Sequence, residues 1–273
     1  MERKYSIRNN LMFALVMEDE EICKGVIERI FNGREVKRIE FKSKINLATE
    51  KTIINDVDAK LVRFDVLFAD DTAWYDIEMQ VAWEDYLPKR IRYYASSMDT
   101  KQLGKGKNNY DELKTHYVIF ICMFDFFNLD RPIYSFENYD IENKIKLNDG
   151  SYKILLNVNC NEENIPDNLK GLYAYIKSNI VPDDDNLISN MDSLVAMYSE
   201  KREVTAFMTM YDEMEYQKQR SFKDGKQEGI AIGRKEGAAL GKLDAAKRMK
   251  EDSLPVDLIV KYTGLSIEEI EKM

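Results

Sequence analysis

Asp65, Glu78 and Gln80 are the residues of this chain whose types and spacing could do chemistry together. They lie in the stretch VRFDVLFADDTAWYDIEMQV, Val62–Val81. Val62, Phe64, Val66 and Phe68 alternate on one face of a first strand. Tyr75, Ile77, Met79 and Val81 alternate on one face of a second, the period-2 signature of half-buried strands. The opposite faces carry Arg63 and Asp65, then Asp76, Glu78 and Gln80. A two-residue loop at Asp71–Thr72, among the commonest hairpin connections, sets Asp70 against Ala73, Asp65 against Glu78 and Arg63 against Gln80. A one-residue slip would turn every side chain to the wrong face. Directly opposed side chains have Cβ atoms roughly 4.5–5.5 Å apart, and like charges there are destabilising. A divalent cation is the simplest reason for two carboxylates so placed, since hard cations take carboxylate oxygens. The other reading is a solvated sheet face on which Arg63 offsets the charge.

The elements on either side must position this hairpin. Residues 8–31 read as one or two helices, with Asn9 or Asn10 capping the first and Asp19 the second. Glu20 and Glu21 then fall in a first turn, where acids favour the helix dipole. Asn32–Gly33 ends that segment. Val36–Leu47 reads as a first strand with Lys37, Arg38, Lys42 and Lys44 along it, a basic edge that could touch phosphate or guard the strand from aggregation. Residues 48–58 read as a loop. After the hairpin, Leu87, Ile91, Tyr94 and Met98 follow helical spacing over about 85–103, with Pro88 in the first turn and Gly104 and Gly106 closing it. Lys89, Arg90 and Arg92 lie off that apolar stripe. They follow the carboxylate strand directly, so they could reach a phosphate near the metal, or form an ordinary solvated face. Thr115–Phe124 is a continuous apolar run, predicted to be a central, doubly buried strand. Asn148–Asp149–Gly150 predicts another hairpin turn, and Tyr152, Ile154, Leu156 and Val158 alternate after it.

Composition removes several function classes. The chain has 273 residues, 44% hydrophobic and 33% charged, which fits a folded protein. No apolar run approaches the roughly 18–20 residues that span a bilayer, and MERKYSIRNN lacks the apolar core of a secretory signal. Cys23, Cys122 and Cys160 are odd in number and far apart, which predicts a reduced cytoplasmic protein without a disulfide or zinc framework. The single histidine, His116, excludes a zinc histidine cluster and reads as a core or edge residue. No G-x-S-x-G, Walker A or G-x-G-x-x-G motif is present. The net charge of −9 argues against general nucleic-acid binding, although local patches matter more than the total.

The second half reads as helical. Leu169–Ile180 is one helix, VPDDDN a break, and Leu187 to about Gln219 a long Met- and Tyr-rich helix. Gly225, Gly229, Gly233, Gly237 and Gly241 then recur every four residues. Each glycine costs a helix roughly 1 kcal/mol relative to alanine, so the regularity predicts either an oligomerising or partner-binding helix or a frayed tail. Residues 217–250 hold ten Lys/Arg and four Asp/Glu, a charge that could also track a nucleic-acid backbone. Pro255 starts a helix, Thr263–Gly264 breaks it, and Ser266-x-x-Glu269 is a capping box for the next. Glu268, Glu269 and Glu271 make that last helix too acidic for a recognition helix in the major groove.

An Asp on one strand followed by Glu-x-Gln on the next resembles the PD-(D/E)XK nuclease core, with Gln80 where many members carry Lys. The set RFDVLF, WYDIEMQ and YLPKRIRYY, continued by QLGKG, Tyr110–Leu113 and the Gly-rich tail, is similar to the recombination-promoting nuclease and putative transposase group of that superfamily. The resemblance covers most of the chain. It implies an α/β fold with a restriction-endonuclease-like αβββαβ core and a mixed central sheet, followed by a helical C-terminal region. The expected parts are a nuclease-like core with sheet extension over 1–160, helices packed on it over 161–220, and a glycine-repeat tail with a two-helix unit over 221–273. The implied activity is Mg²⁺-dependent DNA endonucleolysis, with Mn²⁺ able to substitute, in recombination or transposition of mobile DNA. Asp65, Glu78 and the Met79 backbone carbonyl would bind the metal. Gln80 would orient water, and Arg90, flanked by Lys89 and Arg92, would meet DNA. The resemblance also implies an acidic residue from the first helix, where Asn10 stands in the place of a common Asp. The alternative function is a catalytically inactive nuclease-fold module that binds DNA or protein through its tail.

Overall fold

The computed structural model of the chain describes residues 5–42, 65–103 and 109–273. Val62, Arg63 and Phe64, the Lys44–Leu47 end of the expected first strand, the 48–58 loop, and Gly104 and Gly106 lie outside the described residues.

The chain opens with α1 (Asn10–Met17) and α2 (Glu20–Ile30). Asn9 Oδ1 accepts from the Leu11 and Met12 amides, and Asp19 Oδ1 from those of Glu21 and Ile22, so both expected caps are formed. Every residue of α1 after Asn10 is buried, so this helix is apolar all round and carries no acid. Glu28, in α2, accepts the Val36 amide at 3.1 Å and thereby fixes the chain leaving the helix. Asn32 and Gly33 take positive φ and end α2.

The sheet contains β1 (Glu40–Phe41), β2 (Val66–Ala69), β3 (Ala73–Gln80), β4 (Thr115–Cys122), β5 (Ile133–Phe136) and β6 (Ser151–Asn157), in the order β1-β2-β3-β4-β6-β5. It is mixed: β1, β2 and β3 are antiparallel, β3, β4 and β6 are parallel, and β5 is antiparallel to β6. The parallel step from β3 to β4 needs a crossover, supplied by α3 (Leu87–Leu103). The β2–β3 register is the one the sequence predicts. Val66 pairs with Ile77, Phe68 with Tyr75, and the Asp70 amide donates to the Ala73 carbonyl across the two-residue turn.

The expectation of half-buried strands is corrected. All four residues of β2 and nearly all of β3 are buried, because the sheet is covered on both faces. On one face, Phe68, Tyr75, Tyr117 and Tyr152 stack across four strands at centroid spacings of 5.0, 5.4 and 5.1 Å. Phe31, at the end of α2, packs edge-on against Tyr75 and Tyr117. On the other face Leu67, Val118, Phe120 and Leu155 meet Leu87, Ile91, Tyr94, Ala95 and Met98 of α3. This second face carries the polar residues of β3.

β5 and β6 form the expected antiparallel pair, but the chain does not reverse at Asn148–Gly150. It turns at 140–145, where the Asp140 amide donates to Ile145 and Tyr139 bridges Lys146. Gly150 instead bends the chain into β6 with φ +69, where a side chain would lie 3.2 Å from Thr115. α4 (Asp167–Ser178) and α5 (Asn186–Glu200) follow. Arg29 of α2 grips Asp185, the α5 N-cap, through two bonds of 2.7 and 2.5 Å. The single helix expected over 187–219 is two. The chain breaks at Lys201, then resumes as α6 (Arg202–Glu251), which runs through all five glycines of the repeat.

Two compact units divide the chain, Met1–Met208 and Thr209–Met273. In the second, α7 (Val256–Thr263) and α8 (Ile267–Glu271) close a small core of Ala246, Ile259 and Ile270. Gly264 ends α7 in the left-handed region, and the Ser266–Glu269 capping box starts α8 as expected. The repeat glycines are exposed, and a Cβ at any of them would meet nothing within 4 Å.

Candidate active site

Asp65 and Glu78 come together at the open end of the β2–β3 pair. Glu78 Oε1 accepts the Asp65 amide at 2.7 Å, and Asp65 Oδ2 accepts the Met79 amide at 3.1 Å. These crossed bonds hold two carboxylates side by side without a direct clash. Glu78 is fully buried. Its second oxygen accepts Nη2 of Arg90 at 2.8 Å, and Nη1 of the same guanidinium donates to Gln80 Oε1 at 2.8 Å. Gln80 Nε2 donates to the Ala82 carbonyl at 2.7 Å, which fixes the amide orientation. Arg90 also donates from Nε and Nη2 to the Tyr94 hydroxyl, one helical turn on, and lies over the Tyr94 and Phe120 rings.

Of Lys89, Arg90 and Arg92, only Arg90 faces the site. Lys89 and Arg92 are exposed. Met79 buries its side chain in the core and meets Asp65 through its backbone. Asn10 leads an α1 without acids, so this helix brings no carboxylate to the site.

Two participants lie beyond the residues singled out from the sequence. Tyr94 is one, and its signal is only its place four residues after Arg90. The other is Asp76, which shares the parity of Glu78 and Gln80. It is fully buried, and among the described residues neither of its carboxylate oxygens has a hydrogen-bond donor by distance and angle. The group it faces is the Glu78 carboxyl. Burial pushes both acids well above the ordinary carboxylate range. The charges of Asp65 and Asp76 add to this at Glu78, while Arg90 pulls the other way. Burial opposes the charge on Arg90, but Tyr94 and Glu78 outweigh it and raise the guanidinium further. Burial, reinforced by the Glu78 charge, raises the Tyr94 hydroxyl.

His116 lies apart from these groups. It is buried, with Nε2 2.8 Å from Ser151 Oγ and Nδ1 3.0 Å from Asp99. Lys153 Nζ donates to the same Ser151 oxygen at 2.8 Å. The group ties β4 and β6 to α3, as a core histidine would. Cys23, Cys122 and Cys160 are free and buried.

A comparison with protein-family models matches residues 10–222 to the PD-(D/E)XK nuclease family transposases. The chain belongs to that family. No curated protein and no solved structure matches it. The match spans the sheet, α3 and the helices that follow, and family membership gives the chain a nuclease- or transposase-like role with DNA as the implied substrate. PD-(D/E)XK nucleases typically use divalent metals. Among the described residues no three His, Cys, Asp or Glu side chains form a ready-made metal cage. The donors present still fit a hard cation. Mg²⁺ is usually held by one or two carboxylates and keeps several waters, and among the described residues the buried acids Asp76 and Glu78 outnumber the guanidinium of Arg90. Among the described residues, no helix is long and apolar enough to cross a membrane.

Proposed function

We propose that this PD-(D/E)XK protein is a Mg²⁺-dependent DNA endonuclease, with Mn²⁺ able to substitute, that hydrolyses phosphodiester bonds in the recombination or transposition of mobile DNA. The observation that carries the reading is the pairing of Asp65 with Glu78 under the guanidinium of Arg90. Asp65, Glu78 and the Met79 carbonyl would hold the ion. When bound, it supplies Lewis-acid stabilisation of charge on the scissile phosphate.

Gln80 is neutral, so it can only hydrogen-bond where a lysine would carry charge. Arg90 makes up the difference. Its guanidinium is 2.8 Å from the Gln80 oxygen and stays protonated, so a fixed positive charge stands beside the position the lysine would fill. Gln80, held by Ala82 and Arg90, orients water. Lys89 and Arg92, exposed on the same helix, meet the DNA backbone. In this reading the nuclease core spans 1–160 and the helical region 161–220, while the 221–273 tail serves a second copy or a protein partner. Free cysteines suit a reducing cytoplasm.

Cleavage of supercoiled plasmid in Mg²⁺, Mn²⁺, Ca²⁺ or EDTA tests the reading against Asp65→Ala and Glu78→Ala. Nicking that needs Mg²⁺ or Mn²⁺ and is absent in both variants is the expected result. A folded wild type that binds DNA and never cleaves it, in any metal, would make the protein a binding module instead.

A further inference from the structure

A row of aromatic rings starts three residues beyond Gln80. Trp83 is 57% exposed and stacks on Phe126 at 5.9 Å and 18°. Phe126 meets Phe127 at 5.1 Å, and Phe127 meets Phe136 of β5 at 5.4 Å. Phe127 and Phe136 are 37% and 41% exposed. A folded chain gains little by presenting three large rings to water in a line.

The row ends in a cavity of about 340 Å³ between α3 and the β6–β5 edge. Ile91, Phe127, Phe136 and Leu155 wall it, and Arg92 and Lys153 are the cations on its lining. Ligand pockets begin at about 300 Å³ and combine apolar walls with a few placed polar groups. Arg92 has no acidic partner among the described residues. The cavity uses the strands on one flank of α3, whereas Asp65, Glu78 and Arg90 use those on the other. A helix with its side chains is roughly 10–12 Å across, so one strand of nucleic acid crossing α3 could reach both.

We propose that this row and cavity bind unpaired bases of the DNA strand, so that the substrate class is single-stranded DNA or duplex DNA with a gap, flap or splayed end. The proposal rests on the nuclease reading and names its substrate. Aromatic faces stack on any base, and cations beside them take the backbone. A closed duplex offers no base face to a cavity walled by Phe127 and Phe136, so it engages the backbone cations alone.

The test uses the full chain in Ca²⁺, with a fluorescein-labelled oligo-dT strand and a blunt duplex of equal length, read by anisotropy. The wild type is expected to bind the single strand at least tenfold more tightly. Phe136→Ala, at a half-exposed position, should weaken single-strand binding about tenfold and leave duplex binding unmoved, and Phe136→Trp should restore it. Arg92→Ala should weaken both. A 2-aminopurine base in the oligonucleotide should be quenched by the wild type and less so by Phe136→Ala. Equal affinity for both DNAs, or single-strand binding indifferent to Phe136→Ala, would overturn the proposal whether or not the protein cleaves. Tight single-strand binding by a protein that never cuts would support the cavity and sink the nuclease reading alone.

Discussion

Arg90 on α3 donates to Glu78 on β3 across 2.8 Å, joining a helix to the strand that immediately precedes it. The bond puts the fully buried Glu78 under a residue that also holds Gln80.

Removing that guanidinium therefore has two effects. Arg90→Ala leaves the buried Glu78 without its counter-charge, at a cost of about 3 kcal/mol in unfolding free energy, and should lower plasmid cleavage on the order of 10²–10³-fold. If Arg90 supplies the charge that Gln80 lacks, a lysine at position 80 should recover much of the cleavage in the double variant Arg90→Ala/Gln80→Lys. The same lysine in the wild-type background should add little, because it meets Arg90 as a like charge. Single-turnover rates of the four proteins decide this. A double variant as inactive as Arg90→Ala would show that Arg90 acts only by holding Glu78 in place.

Asp76 yields a stability prediction with a defined sign. Burial raises its folded-state pKa, so the native protein keeps this carboxyl protonated to higher pH than the unfolded chain does. Stability contributed by this group is greatest below the ordinary carboxylate range and falls as pH rises through and above it. Asp76→Asn keeps the neutral shape and has nothing to ionise. In urea melts with EDTA the variant should match the wild type near pH 4 and exceed it by about 2 kcal/mol at pH 8. A variant less stable than the wild type at pH 8 would mean that the carboxylate has a partner the fold depends on.

Asp185 behaves in the opposite sense. Burial acts to raise its pKa, but the bonds from Arg29 and the Ile188 amide prevail and hold it below the usual range. Its contribution is present above the ordinary carboxylate pKa and is lost as pH falls through the depressed folded value. Arg29→Ala should cost about 3 kcal/mol at neutral pH, with exposure of both side chains lowering that figure. The difference from wild type should shrink below about pH 4, as acid melts would show. Gly171 belongs to the same arrangement, since a side chain there would collide with the Asp185 carboxylate.

In the repeat, Gly229→Ala and Gly233→Ala should each stabilise α6 by about 1 kcal/mol, because the added methyl meets only solvent. Helicity by circular dichroism should rise and the melting of the 209–273 unit should shift upward. A loss of helicity or of self-association would reveal a partner that needs the bare backbone.

Much of the site was legible because it is local. The two-residue turn at Asp71–Thr72 and strict side-chain alternation were enough to place Asp65 beside Glu78, and both follow from residues close in sequence. Asp76 obeyed the same alternation, yet its burial depends on α3 closing over the sheet, and no local pattern in β3 carries that. The β5–β6 turn was misplaced because Asp149–Gly150 has turn chemistry. The glycine is needed there to let the chain pass close to Thr115, so its signal was real and its purpose different. The break at Lys201 lies between two good helical stretches with no glycine or proline to mark it. The glycine repeat remained helical because Lys, Arg, Glu, Gln, Ala and Leu fill most positions between the glycines, and their propensities offset the penalty.

The four-residue spacing of Gly225, Gly229, Gly233, Gly237 and Gly241 has a geometric outcome. With 3.6 residues per turn, each step of four advances the helix by one turn and about a further 40°. The glycines therefore wind around α6, and the first and last face directions about 160° apart. Such a row follows the inclined i±4 ridge of the helix surface, whose natural crossing with a like ridge is near −50°. A straight neighbour could rest on two adjacent glycines and would then diverge from the others. Any contact spanning all five has to be made by a partner that coils, or by several short contacts in succession.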